Sequence, residues 1–232
     1  MNFDEIEQVI GVRFTDQALL RQAFIHRSYL NENRSEKEHN ERLEFLGDAV
    51  LELVTTEYLY KTFPNPEGEL TNLRSSIVKR ETLAETARDI GLGVWLLLSR
   101  GEKASGGHEK DYILANTVEA LIGAIYLDKG YDACQKFVSK FIISKLDAII
   151  EKGKHIDSKS LFQEKAQELM NTTPEYKLIY DEGPDHNKIF TMGVYIGDEF
   201  VAQGKGPSKQ MAEQQAAYEG LLFKGWAEGG QN

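Results

Sequence analysis

The chain has 232 residues, 41% apolar and 28% charged, which suits one large or two modest domains of an ordinary soluble protein. Its net charge of −10 and pI of about 5.1 argue against a uniformly basic, nucleic-acid-binding surface, although net charge does not fix the sign of any one patch. One cysteine, Cys134, excludes a disulfide scaffold or cysteine-rich zinc site, and no apolar run approaches the roughly 18 residues of a membrane span.

The start, MNFDEIEQVIG, lacks the basic and apolar regions of a signal peptide, so a cytoplasmic protein with no membrane partner is expected. Residues 1–150 read as helix after helix. Asp4 and Thr15 are plausible N-caps for two short helices. A long helix is expected over about residues 40–63, ended by Pro64 and Pro66, with Leu43, Leu46, Val50 and Leu53 on its apolar side. Further helices are expected from Glu67, over residues 81–90, 111–127 and 131–150, with residues 99–107 a flexible loop. Cys134 lies in an apolar helical pattern and reads as a packed residue. Residues 151–157 are polar, lack periodicity and read as a linker. Beyond it a helix over 158–170, with Leu161, Ala166 and Leu169 apolar, precedes three strands and a helix over 208–223. That last helix is apolar through Met211, Ala212, Ala216, Leu221 and Leu222. The fold class is an all-α domain, residues 1–150, followed by a small α-β-β-β-α domain, residues 158–226, and a tail, 227–232.

At about 100° per residue, the stretch His39–Leu53 places Glu41, Glu44 and Asp48 within roughly 60° of helix arc. Such carboxylates repel one another, and a hard, oxygen-liganded cation relieves the repulsion. A solvated acidic face is the alternative reading. A second polar pair, Asn116 and Glu119, shares one face of an otherwise apolar helix and needs partners there. It could face Glu44 and Asp48 across a metal, or hydrogen-bond within the bundle. No phosphate-binding loop, dinucleotide loop or Ser/His/Asp triad is evident, and His26 reads as a structural hydrogen-bonder.

The motif NERLEFLGDAVLEL resembles the signature of the ribonuclease III family. The likeness extends to HRSY (His26 to Tyr29), the segment Glu67 to Thr71, SGG (Ser105 to Gly107) and ILANTVEALIGAIYLD. The α-β-β-β-α module is similar to the double-stranded RNA-binding domain that follows in bacterial members. The resemblance implies a homodimeric, Mg²⁺-dependent endonuclease of double-stranded RNA, with Mn²⁺ able to substitute. It implies 5′-phosphate and 3′-hydroxyl products and, by family analogy, processing of rRNA precursors and other structured transcripts. Carried over by position, Glu44 and Glu119 are metal ligands, and Asp48 acts close to the metal and the attacking water. Glu41 is the outer carboxylate, and Phe45 is a dimer contact. Gln163, Glu164 and His186 would meet minor grooves, and Lys205 and Lys209 phosphates. One departure stands out: Asn116 occupies a position that is often a ligating Asp. The same reaction with weaker Mg²⁺ affinity is expected; a double-stranded-RNA-binding protein with weakened catalysis is the alternative. From Asp157 onward there are 7 Lys, no Arg and 12 acidic residues, so RNA binding by the second module alone should be weak and salt-sensitive.

Overall fold

Two kinds of hydrophobic pattern build two kinds of core. The computed structural model describes residues 3–151, 158–184 and 188–226, and the chain divides into two compact units, Met1–His155 and Ile156–Asn232. The expected linker beyond Glu151, the residue His186 and the tail 227–232 lie outside the described residues.

The first unit comprises helices α1 (Asp4–Ile10), α2 (Gln17–Ala23), α3 (Glu41–Thr62), α4 (Glu67–Val78), α5 (Arg80–Asp89), α6 (Arg100–Ala104), α7 (Asp111–Lys129), α8 (Tyr131–Phe141) and α9 (Leu146–Glu151). Eleven of the 19 residues of α7 are buried, which makes it the central helix on which α2, α3, α5 and α8 pack. Helix α3 buries Leu43, Val50, Leu51, Val54 and Leu59. It stops where Phe63 turns extended (φ −116°, ψ 128°), as a residue before proline must. Leu43 and Val50 are buried and Leu46 packs against the core, as expected, whereas Leu53 is 57% exposed and Val54 takes the inner position.

Several local expectations are corrected. The cap of α2 is Asp16, whose side chain accepts from Ala18 N, and Asp4 lies inside α1 behind Phe3. The backbone N–H groups of Thr15 and Asp16 instead donate to Asp128 at the end of α7, each at 2.9 Å. The segment 99–107 is not all loop: Ser99 Oγ accepts from Glu102 N and starts α6, which Lys110 holds through Glu102 at 2.6 Å. The helix expected over 131–150 breaks into α8, a 3₁₀ turn at Ile143–Lys145 and α9. Ile142, Ile143, Leu146 and Ile149 are all buried, and the break lets the adjacent β-branched pair Ile142–Ile143 turn inward together. Cys134 is fully buried, as its pattern implied.

The second unit is α10 (Ser158–Met170), β1 (Pro174–Glu182), β2 (Ile189–Ile196), β3 (Glu199–Gly206) and α11 (Lys209–Lys224). The strands form one antiparallel sheet in the order β1-β2-β3, with Gly197 at φ +59° in the tight β2–β3 turn. Its core joins Phe162 and Ala166 of α10, Val194, Ile196 and Val201 of the sheet, and Ala216, Ala217 and Leu221 of α11. The small residues on α11 let strand β3 lie against it: a Cβ on Gly204 would stand 2.2 Å from Ala216 N. Leu169, Met211 and Leu222, expected inside, are half exposed; Phe162 and Gly220 take the inner positions.

Candidate active site

At Gly47 and Gly123 the contact between α3 and α7 is made by backbone. A Cβ on Gly47 would fall 1.7 Å from the Glu119 carbonyl oxygen, and one on Gly123 would fall 2.2 Å from the Leu43 carbonyl oxygen. Both distances lie far inside van der Waals contact, so only glycine fits at either position. Glu44 and Asp48 flank Gly47 on α3, while Asn116 and Glu119 occupy the turn of α7 that Gly47 touches. The crossing therefore brings together the four residues that the sequence placed on two separate helices.

Their electrostatics follow from this enclosure. Glu119 is half-buried and its pKa is pushed up to about 7, first by burial and then by the nearby charges of Asp48 and Glu44, with Arg80 opposing. Glu44 is also raised by burial, and a hydrogen bond from the Asn116 side chain offsets part of that rise. Asn116 thus donates to a carboxylate that an Asp in its place would repel. Glu41 lies further out, exposed, with Arg27 at 3.6 Å and His39 at 3.8 Å. His26 makes a 2.9 Å hydrogen bond with Ser28 Oγ, which also accepts from Ser99 N at 3.1 Å, so its role is structural. Phe45 stands outside the core, 82% exposed.

Among the described residues, no three His, Cys, Asp or Glu side chains converge tightly enough to hold a metal ion by themselves. The donor set nonetheless has the right chemistry for one: three carboxylates and a carboxamide, all hard oxygens on two facing helices.

In the second unit, Gln163 and Glu164 are exposed on α10, in an open depression shared with Ser160, Gln167 and Glu168. Lys209 opens α11, next to the Ser208 cap that accepts from Met211 N. Lys205 does not join it. Gly204 and Gly206 face α11, so Lys205 between them points away. Its Nζ lies 5.4 Å from the Tyr180 ring and 3.6 Å from Glu182.

Comparison with known proteins decides the family. The model described as "Ribonuclease-III-like" matches residues 16–146, and that of the double-stranded RNA binding motif matches 158–223. Ribonuclease 3 of Borreliella burgdorferi is 44% identical over 209 residues, covering 90% of this chain and 85% of its own. Ribonuclease 3 of Enterococcus faecalis is 44% identical, covering 94% of this chain and 95% of its own. The chain belongs to the ribonuclease III family. A solved nuclease domain of ribonuclease III from Campylobacter jejuni, described with reference to a region involved in dimer formation, agrees with this. It superposes with a TM-score of 0.58 at 39% identity, over 62% of this chain and 97% of its own.

As a ribonuclease III family member, the chain is an endoribonuclease with a helical nuclease domain and a double-stranded-RNA-binding domain. Sequence reasoning missed the Gly47–Gly123 crossing and the proximity of Arg80 to Glu119. That Gly123 lies one turn beyond Glu119 is visible in the sequence; that Gly47 lies opposite it is not. The alternation Gly204-Lys205-Gly206 did carry the signal that Lys205 faces away from α11.

Proposed function

We propose that this endoribonuclease hydrolyses double-stranded RNA with a divalent cation, Mg²⁺ with Mn²⁺ able to substitute, leaving 5′-phosphate and 3′-hydroxyl ends. The observation that carries the reading is the enclosed, charge-crowded Glu119 facing Glu44 and Asp48. Glu44, Asp48, Glu119 and the Asn116 amide oxygen would hold the ion. When bound, the cation would supply Lewis-acid stabilisation of the attacked phosphate and activate water near neutral pH. Asp48 orients the attacking water and accepts its proton. Glu119, half-buried on α7, would present its carboxylate to the ion from the helix facing Glu44 and Asp48. Glu41, between Arg27 and His39, steers the outer part of the site toward the RNA backbone or a second ion.

The second domain grips the duplex by shape, with Gln163 and Glu164 toward a minor groove and Lys209 with the α11 N-terminus toward phosphates. His186 is assigned to the neighbouring groove on resemblance alone. We assign Phe45 to a homodimer contact, since a large, highly exposed aromatic beside the site suits burial against a second copy. A two-fold dimer matches the pseudo-symmetry of the duplex and lets two sites cut two strands. Cytoplasmic processing of rRNA precursors and mRNA completes the reading.

Incubating the protein with a long RNA duplex in Mg²⁺ and in EDTA tests it. Cutting in Mg²⁺ alone, with 3′-hydroxyl ends that accept polymerase extension, supports the proposal. Duplex binding without cutting supports the second reading, weakened catalysis through Asn116, which lacks the charge of an Asp.

A further inference from the structure

The backbone contact between α3 and α7 does more than seal the core, because it lies within one helical turn of every proposed donor. Gly47 is three residues after Glu44 and one before Asp48. Its missing Cβ leaves room for the carbonyl oxygen of Glu119 itself, at 1.7 Å from where the Cβ would be. Gly123, one turn beyond Glu119, accommodates Leu43, the residue before Glu44, in the same way at 2.2 Å. The two contacts are reciprocal: the Gly47 site also approaches Gly123 N (2.8 Å), and the Gly123 site approaches Gly47 N (3.2 Å). The three nearest atoms to each position are all main-chain atoms. The gap across which the carboxylates face one another is therefore set by main-chain contact, which neither changes rotamer nor compresses as a side-chain layer can. Side-chain torsions alone remain to adjust donor positions.

We infer that the Gly47–Gly123 pair sets the ion-size preference of the site. These glycines are positioning residues: they touch neither ion nor RNA, and act by fixing the separation of Glu44 and Asp48 from Asn116 and Glu119. Small and large divalent ions differ in what they require. Mg²⁺ demands oxygens at about 2.0–2.1 Å in near-octahedral order, whereas Ca²⁺ accepts more oxygens at about 2.3–2.6 Å. A helix separation held by main-chain contact and unable to widen disfavours the second. One added methyl group at Gly123 forces the helices apart and shifts the preference toward the second. The inference rests on the metal-binding reading above and deepens it.

The test is thermal-shift titration of the full-length, metal-free protein with Mg²⁺, Mn²⁺, Ca²⁺, Sr²⁺ and Ba²⁺, without RNA, so that the readout is binding and not turnover. In the unmodified protein the apparent affinity should fall steeply from Mg²⁺ and Mn²⁺ through Ca²⁺ to Ba²⁺. In Gly123→Ala the ratio of Ca²⁺ to Mg²⁺ affinity should rise about tenfold, roughly 1.4 kcal/mol. Val118→Ala, a core truncation on the same helix, should lower stability without moving that ratio. A Gly123→Ala protein with normal helix content and an unchanged ratio overturns the inference, even if both affinities weaken together. If that variant does not fold, the series on the unmodified protein decides: a flat dependence on ion radius overturns the inference. An unmodified protein that binds no divalent ion removes the metal reading itself and this inference with it, an outcome distinct from binding without size preference.

Discussion

Both units bring a helix into backbone contact through glycine, and they use the approach differently. In the nuclease domain, Gly47 and Gly123 press α3 onto α7 beside the half-buried Glu44 and Glu119 and the exposed Asp48. In the RNA-binding domain, Gly204 presses β3 onto α11, but what meets there is small and apolar, and the residues assigned to RNA stay exposed outside. Enclosing carboxylates raises their pKa and demands a large surrounding core; displaying lysines and a helix N-terminus costs little and needs only a small one. The half-buried carboxylates thus stand on the larger core, and the exposed residues assigned to RNA on the smaller one.

The largest expected effect comes from breaking the thinner region. Phe162→Ala empties the centre of the second core and should cost about 3–5 kcal/mol, enough to unfold that domain. Two-probe thermal denaturation should then show loss of the sheet signal with the helical unit intact, and tight duplex binding should vanish. Conversely, Glu119→Gln should leave duplex binding in EDTA unchanged within about twofold while cleavage falls by about 10²–10³-fold, the scale of removing one transition-state group. Equal losses of binding and cleavage would refute the division of labour.

The enclosure also predicts a pH signature of the metal-free protein. The pKa of Glu119 in the fold is about 7, above an ordinary value of 4.5, so the folded state holds this proton more tightly than the unfolded state. That contribution is fully present below about pH 4.5 and is lost as pH rises through 7. The loss is about 3 kcal/mol at most, from roughly 1.4 kcal/mol per unit. Urea denaturation in EDTA at pH 5 and pH 8 measures it, and Glu119→Gln should flatten the difference. A smaller change is expected from Asn116→Asp, which removes the hydrogen bond donated to Glu44 and adds a charge. Apparent Mg²⁺ affinity should rise about tenfold while the metal-free protein loses stability. No change in affinity, or a loss, would show that the carboxamide serves the ion as well as a carboxylate does.

The smallest effect sharpens the comparison on the grip side. Lys209→Ala should weaken duplex binding several-fold and reduce the salt slope by about one. Lys205→Ala should do less, because that side chain sits over Tyr180 on the sheet face turned from α11. Equal slopes for the two variants would bring Lys205 back into the RNA-binding set.

Periodicity made the architecture legible: the long helices, the three strands and their order all follow from spacing and from Pro, Gly and Ser punctuation. It was less able to fix the phase of a face. Leu53 and Leu169 look as apolar as Val54 and Phe162, and only packing distinguishes which of each pair is covered. Within the candidate site, Glu44, Asp48 and Glu119 were legible as residues in register on their own helices. What joins them was not, since the contact of Gly47 with Gly123 links segments far apart in the chain. The high pKa of Glu119 is likewise a property of two helices together. Lys205 is different: its outward direction follows from strand alternation and was available from the sequence.

Helix α3 ends at Thr62 and α7 begins only at Asp111, with α4, α5 and α6 between them. During synthesis the first carboxylates leave the ribosome well before their partners, and closing so long a loop must await the intervening helices. In a growing chain Glu44 and Asp48 therefore stand without Asn116 and Glu119 until α7 has been made and docked on α3.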